Sequence, residues 1–454
     1  MIKKLWSVLT CAVIGVGLFS GQAQEAGQSR EQKVRADRQK VEADGYWIYN
    51  DLPRGFAEAK RTGKPMLVVL RCIPCVECVK LDDDLVNEDR RVRPLLDQLV
   101  RVRVVSTNGL DLAQFQFDTD QSFAAFLLNA DGTVYGRFGT RSHRTYWSDD
   151  VSIEGLAKAL QGALELHQQY PMNQAALAGK RGQAPEVPSP EQLPTLREPH
   201  SGNRYGSKLN YEGNVVQSCI HCHQIGDARR QLLRDRRQPM PAQVLFPFPH
   251  PKSIGLILDP KEKATVVRVE NGSPAEAAGF LAGDEVKMLD RQPMLSIADV
   301  QWVLHQSPAD GATVKAEVKR GGRVEGLTLS LPKGWKAHDD ISWRASTWGL
   351  RRMAAGGLVL EDLPPEDRRD KARETGAMAL RVKYVGQGAG PHGTAQRAGF
   401  RKGDVLISFD GRTDLKRETD LLTYAVNAHK PGEQVAVKIV RDGKAIELML
   451  PMQE

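Results

Sequence analysis

The chain has 454 residues and a formal net charge of +7, from 63 basic and 56 acidic residues. Such a mild excess gives no ground for a nucleic-acid partner, and the length suits about three domains of ~100–200 residues each. Five of the six cysteines, an odd number, sit in two tight clusters, which argues against a purely structural disulfide framework and leaves redox, metal or haem chemistry as the classes to weigh.

Lys3 and Lys4 precede an apolar run from Leu5 to Phe19, and Gly21-Gln22-Ala23 offers a small-x-small cleavage site. Residues 1–23 therefore read as a cleaved secretory signal, with an uncleaved anchor as the other reading. Cleavage lowers the net charge to +5 and removes Cys11. The mature chain is expected to be exported, periplasmic and without a membrane span. It keeps Cys72, Cys75, Cys78, Cys219 and Cys222.

Residues 46–170 alternate helical and strand signals. Arg54 to Arg61 is a charged helical stretch, Pro65 to Leu70 a buried strand, and Val100 to Val105 another strand. Phe123 to Leu128 and Thr133 to Phe138 form a hairpin around Asn129-Ala130-Asp131-Gly132, and Ser152 to His167 has helical spacing. The alternation predicts a small α/β domain. Cys72, Cys75 and Cys78 follow the buried strand at i, i+3 and i+6. That spacing puts them near one face of a helix start, where the positive helix end favours thiolate.

Five prolines between Pro185 and Pro199 mark residues 171–200 as an extended linker. Residues 201–250 are too few for an ample core, so a cofactor or a neighbour must order them. They contain Cys219-Ile220-His221-Cys222-His223, a Cys-x-x-Cys-His segment with the attachment pattern of haem c. In that reading Cys219 and Cys222 form the thioethers and His223 ligates the haem iron. Met240, between Pro239 and Pro241, is the candidate sixth ligand, with His250 and His200 as rivals and a five-coordinate iron also open. A Cys219–Cys222 disulfide and a zinc site are the competing readings.

Ala278-Gly279-Phe280-Leu281-Ala282-Gly283-Asp284 recurs 120 positions later as Ala398-Gly399-Phe400-Arg401-Lys402-Gly403-Asp404. Each copy is followed by a strand, a helix (Ser296 to Gln306, Arg417 to Ala428) and a hairpin turning at Gly321-Gly322 or Asp442-Gly443. A repeat of this length is a duplicated domain. The copies span residues 251–332 and 356–454, joined by a connector at 333–355 that carries Trp335, Trp343 and Trp348. These tryptophans pack domain on domain or cover the haem.

Three resemblances add to this reading. Phe56-Ala57-Glu58-Ala59-Lys60 with Gly63-Lys64-Pro65, the cysteine stretch and the Asp131-Gly132 hairpin resemble bacterial thioredoxin-like domains over about 120 residues. The family's register implies Cys75 as nucleophile and Cys78 as resolving cysteine, with Cys72 an extra thiol; Cys72/Cys75 is the competing pair. Two departures weaken the enzyme reading: Pro74 stands where a tryptophan is usual, and Phe123 where the family has a cis-proline. Gly272-Ser273-Pro274 with the repeated Ala-Gly-Phe and Gly-Asp stretches resembles PDZ domains of bacterial periplasmic proteases. That likeness implies peptide binding by strand addition, with carboxylate loops at Ile254-Gly255-Leu256 and Gly356-Gly357-Leu358. No Gly-x-Ser-Gly-Gly-like nucleophile loop accompanies them, so proteolysis is not expected.

Taken whole, the order resembles a bacterial family of thioredoxin-like/PDZ fusion proteins, some with selenocysteine. The fold expected is multidomain α/β plus mainly-β: a thioredoxin-like domain, a short Cys-x-x-Cys-His segment and two PDZ-like domains. The function expected is a periplasmic thiol-disulfide redox protein with haem c and a protein or peptide partner held through the PDZ-like domains. A non-enzymatic scaffold, or a haem-based sensor or electron carrier, is the second reading.

Overall fold

The computed structural model describes residues 29–71, 90–121, 123–142, 150–197, 202, 204–363 and 377–453. Residues 1–23, read from sequence as a secretory signal, and Cys72, Cys75 and Cys78 lie outside the described residues.

The described residues open with α1 (Arg30–Asp44), started by a Ser29/Gln32 capping box and stopped at Gly45 in a left-handed conformation. The α/β domain follows: β1 (Ile48–Tyr49), α2 (Leu52–Thr62), β2 (Met66–Arg71), β3 (Val100–Val104), β4 (Phe123–Leu128), β5 (Val134–Phe138) and α3 (Ile153–Gln168). The sheet order is β1-β3-β2-β4-β5, with β2 parallel to β3 and antiparallel to β4. β2 is buried at every position, as a central strand covered on both faces must be. Ala59 of α2 packs with Val68 and Val102 on one face, while Leu156 and Leu160 of α3 pack with Leu67 and Val69 on the other.

The proline-rich stretch is packed rather than extended. Leu193 and Leu196 are buried with Leu112 of the α/β domain and Ile220 and Ile225 of the next segment. Proline content set the backbone shape there, and the leucines between the prolines supplied a core side. Residues 204–250 form α4 (Val215–Ser218) and α5 (Cys222–Asp235), ordered by the neighbours they bury against.

The first duplicated domain comprises β6 (Leu256–Leu258), β7 (Val266–Val269), β8 (Glu285–Leu289), β9 (Gln292–Pro293), α6 (Ile297–Gln306), β10 (Ala312–Arg320) and β11 (Arg323–Leu331). β6 pairs with β7 in a two-stranded sheet, and β11-β10-β8-β9 form a second. The second copy comprises α7 (Thr347–Ala355), β12 (Leu358–Asp362), β13 (Leu380–Val385), β14 (Val405–Phe409), α8 (Glu418–Ala428), β15 (Gln434–Arg441) and β16 (Lys444–Pro451), its five strands in sequential order.

The repeated Gly-Asp pair has a structural reason. Arg320 grips Asp284 through Nε and Nη2, both at 2.7 Å, and donates to Gly279 O at 2.8 Å. Arg441 does the same to Asp404 and Gly399, at 2.7, 2.7 and 2.8 Å. This bidentate clasp ties the loop before one strand to the hairpin that follows.

The connector is no spacer. Trp335 is fully buried in the first copy's core, and Trp348 meets Tyr384 of the second edge-on at 6.3 Å. Arg344 lies at its centre with 1% of its side chain exposed. It donates to both Asp118 oxygens at 2.7 Å and to Pro247 O at 2.6 Å, and it faces Asp120 at 3.5 Å and Asp339 at 3.6 Å. Asp120 in turn accepts from the Ser346 N–H at 2.7 Å and its hydroxyl at 2.8 Å. One buried cation thus fastens the α/β domain to the connector.

Candidate functional site

The Cys-x-x-Cys-His segment is seated on the α/β domain from both sides. Glu31 of α1 accepts the N–H groups of Val215 and Val216, each at 3.0 Å, and so satisfies the start of α4. α4 ends where the Cys219 N–H donates to Val216 O at 3.3 Å. Ile220 is then held by both backbone groups. Its N–H donates to Asn108 Oδ1 at 2.8 Å, and its carbonyl accepts from the Thr107 N–H at 3.1 Å and hydroxyl at 2.8 Å. Asn108 also donates to Ser218 O at 2.9 Å. Cys222 opens α5 and packs against the core that includes Val68 and Val104.

These contacts put Ile220, His221 and Cys222 across the C-terminal ends of the parallel strands β2 and β3, around a cavity of about 10 Å³. That is room for about one water. Carboxyl ends of parallel strands are where open α/β sheets hold their ligands. From Arg71, at the end of β2, the chain passes directly to Cys72.

Burial pushes the Cys219 thiol above its ordinary pKa, against a hydrogen bond from Ser106. Burial, with the charge of His223, lowers His221. The two imidazoles stack at 5.9 Å and 6°. For His223 burial also disfavours protonation, but the Asp227 carboxylate, 3.2 Å from Nδ1, outweighs it and raises the pKa. Burial raises Asp227 itself.

A c-type haem needs two thiols and an axial nitrogen. Cys219, Cys222 and His223 carry those donor types, and the Nδ1–Asp227 contact fixes the His223 ring and leaves Nε2 facing the other way, as for histidines that ligate metals. Met240 does not suit it. α5 has 14 residues, a length of about 20 Å, and His223 lies at its start. Met240 lies beyond its far end, 3% exposed in the second copy's core beside Leu245 and Phe246, its N–H donated to Asn427 at 2.7 Å. His250 is also placed elsewhere: it is buried before β6, where Nδ1 accepts from the Lys252 N–H at 3.2 Å. His200 lies outside the described residues.

The proposed carboxylate loops stand before β6 and β12. The Gly255 N–H is used in a turn to Lys252 O at 3.0 Å, and the Gly357 N–H caps α7 by donating to Arg351 O at 3.0 Å. Leu256 and Leu358 are buried core residues at the start of their strands. Both groove-wall helices are covered by this chain's own residues. Phe248 stacks on His305 of α6 at 4.1 Å and accepts from Gln301 Nε2 at 3.0 Å, and α7 packs on α8.

Sequence reasoning missed the residues that seat the segment: Glu31, Thr107 and Asn108. Only the run of small polar residues Ser106-Thr107-Asn108 after a buried strand hinted at a loop that binds backbone. Arg351 and Glu418 are 67 positions apart and gave no signal at all.

A thioredoxin-like family pattern matches residues 47–130, and a PDZ domain pattern matches residues 250–331 and 387–452. A probable periplasmic serine endoprotease DegP-like of Marinomonas sp. (strain MWYL1) is 26% identical over 188 residues, covering 41% of this chain and 36% of that protein. The protein of the same name from Pseudomonas putida (strain F1) is 24% identical over 199 residues, 43% of this chain and 39% of its own length. The chain thus spans less than two fifths of these relatives. Among solved structures, an HtrA-type protease AlgW with decapeptide aligns at 15% identity and a TM-score of 0.20, covering 32% of this chain and 49% of that one. No helix among the described residues is long and apolar enough to cross a membrane. The chain joins, in order, a thioredoxin-like domain and two PDZ domains.

Proposed function

We propose that this is an exported, periplasmic thiol-disulfide redox protein that takes hold of a protein or peptide partner through its PDZ domains. The observation that carries the reading is the seat of Cys219–Cys222 across the strand ends from which the chain enters Cys72, Cys75 and Cys78. From Arg71, which lines the same cavity as Cys222, the chain passes straight into the first cysteine group. In the exchange, the Cys75 thiolate attacks a substrate disulfide and releases one substrate thiolate. Cys78 then attacks the mixed disulfide, so the substrate leaves as a dithiol and Cys75–Cys78 as a disulfide.

Haem c belongs to this reading: Cys219 and Cys222 would form the thioethers and His223 Nε2 would ligate the iron; bound there, haem would supply one-electron transfer. Asp227 then orients the ring and Asn108 and Thr107 hold the attachment loop. Periplasmic names among the relatives support the compartment.

A second reading, a scaffold without thiol chemistry, is favoured by Phe123 at the cis-proline position and by groove helices already covered within the chain. Insulin reduction separates the two. Wild type is expected to be active and Cys75→Ser to lose at least about 100-fold; equal inactivity of both supports the scaffold. The same preparations, exported alongside c-type haem maturation machinery, are expected to give a c-type pyridine haemochrome spectrum that Cys222→Ser abolishes.

A further inference from the structure

The second PDZ domain begins with a helix that its sequence placed in the connector. Leu350, Met353, Ala354 and Ala355 of α7 are each at most 1% exposed, in one core with Leu358, Leu360 and the α8 residues Leu421 and Leu422. α7 therefore fills space between β12 and α8. Its Arg351 binds Glu418 at the start of α8 through Nε at 2.9 Å and Nη2 at 2.5 Å, with 3% and 2% of the two side chains exposed.

This ion pair reaches the strand edge. β12 is the terminal strand of its sheet, paired on one side with β13. Peptide addition needs the N–H groups of the other side. There the Leu360 N–H already donates to Glu418 Oε1 at 2.7 Å, and the Gly357 N–H is used by Arg351 O. The first PDZ domain lacks the device. Ile297 opens α6 where Glu418 opens α8, and among the described residues no side chain accepts the Leu258 N–H.

We infer that α7 is an autoinhibitory occupant of the second PDZ groove, latched by Arg351 and Glu418, and that a strand-adding peptide enters this groove when α7 is displaced. The inference rests on the reading of these domains as peptide binders. A neutral amide at Glu418 keeps the shape of the latch and removes its charge.

The test uses the full-length protein and a fluorescent decapeptide with a free C-terminal phenylalanine and a photo-crosslinker, its attachment points mapped by mass spectrometry. Phe248 covers α6 without an ion-pair latch, so in wild type labelling is expected around β6 and α6 and not around β12 and α8. Glu418→Gln is expected to add labelling at β12 and α8, with at least about 10-fold tighter binding there, the gain when a groove open about one time in ten becomes fully open. Amide exchange at Leu360 should quicken in the same variant. If Glu418→Gln does not fold, Arg351→Lys, which keeps the charge and loses the bidentate fork, serves in its place. Equal labelling of β12 in wild type and variant overturns the inference. So does faster Leu360 exchange with no labelling of β12 while β6 is labelled. Absence of labelling at both grooves removes the peptide-binding reading itself, and the inference with it.

Discussion

At the scale of single residues, burial decides which groups carry charge. His250 is 5% exposed, and burial depresses its pKa to about 4 although Asp150 lies 3.5 Å from Nε2. In the unfolded chain the same imidazole titrates near ~6.5. Between these values the unfolded state takes up a proton that the folded state refuses. Stability from this group is therefore fully present above about 6.5 and lost as pH falls toward about 4. Thermal melts from pH 7 to 4 are expected to show this slope, and His250→Asn, which keeps an acceptor for the Lys252 N–H, to flatten it. An unchanged slope would show that His250 titrates alike in the folded and unfolded chain. Asp284 adds to the sensitivity at still lower pH. Burial works to raise its pKa, but Arg320 and the Leu281 N–H outweigh it and hold the carboxyl below its ordinary value.

Among elements, the decisive join is between the loop after β3 and the turn between α4 and α5. Three hydrogen bonds to Ile220 and one to Ser218 come from Thr107 and Asn108 alone. Asn108→Ala leaves the Ile220 N–H and the Ser218 carbonyl without this partner, at a cost of about 1–3 kcal/mol. The turn then lifts from the strand ends more often. In protein produced without haem maturation machinery, alkylation of Cys222 by iodoacetamide is expected to speed up by about tenfold or more, while the far hairpin β15–β16 keeps its amide protection. No change in alkylation rate would mean that α5, not the β3 loop, seats the thiol. Much of this level was legible beforehand. The strands, the α3 helix and both repeated hairpins follow from alternation, turn residues and helical spacing. α7 was not legible, because Thr347–Ala355 is a nine-residue piece of a tryptophan-bearing connector whose apolar residues find their partners on α8 only in the fold.

Across the whole molecule, Arg344 is the fastening. It gathers Asp118, Asp120 and Asp339 in a site without solvent. Burial pushes Asp118 to about 6 and Asp339 to about 7 even against its pull, while the carboxylates outweigh burial to keep the guanidinium firmly charged. Arg344→Met leaves these acids uncompensated and is expected to lower stability by roughly 3–5 kcal/mol. Calorimetry should show the thioredoxin-like domain melting apart from the PDZ domains. Adding Asp118→Asn removes one stranded charge and should restore part of the loss. A single, unshifted transition in Arg344→Met would mean that apolar contacts alone join the domains.

The sequence by itself determined what local chemistry can encode: the duplicated domains, the thioredoxin-like strand order of signals, the grouping of cysteines and the Cys-x-x-Cys-His spacing. These depend on period, turn residues and intervals of a few positions. The tertiary structure decided what lies far apart in the chain. It set Cys219–Cys222 against the ends of β2 and β3, took Met240 away from His223, packed the proline-rich stretch and put α7 into the second groove. The physical reason is common to all four. Each outcome depends on burial between residues far apart in the chain, apolar for Leu193 and Leu196 with Leu112, polar for Ile220 with Asn108, Met240 with Asn427 and Arg351 with Glu418. Such pairing is settled by desolvation in the assembled core, and no local pattern of residues records it.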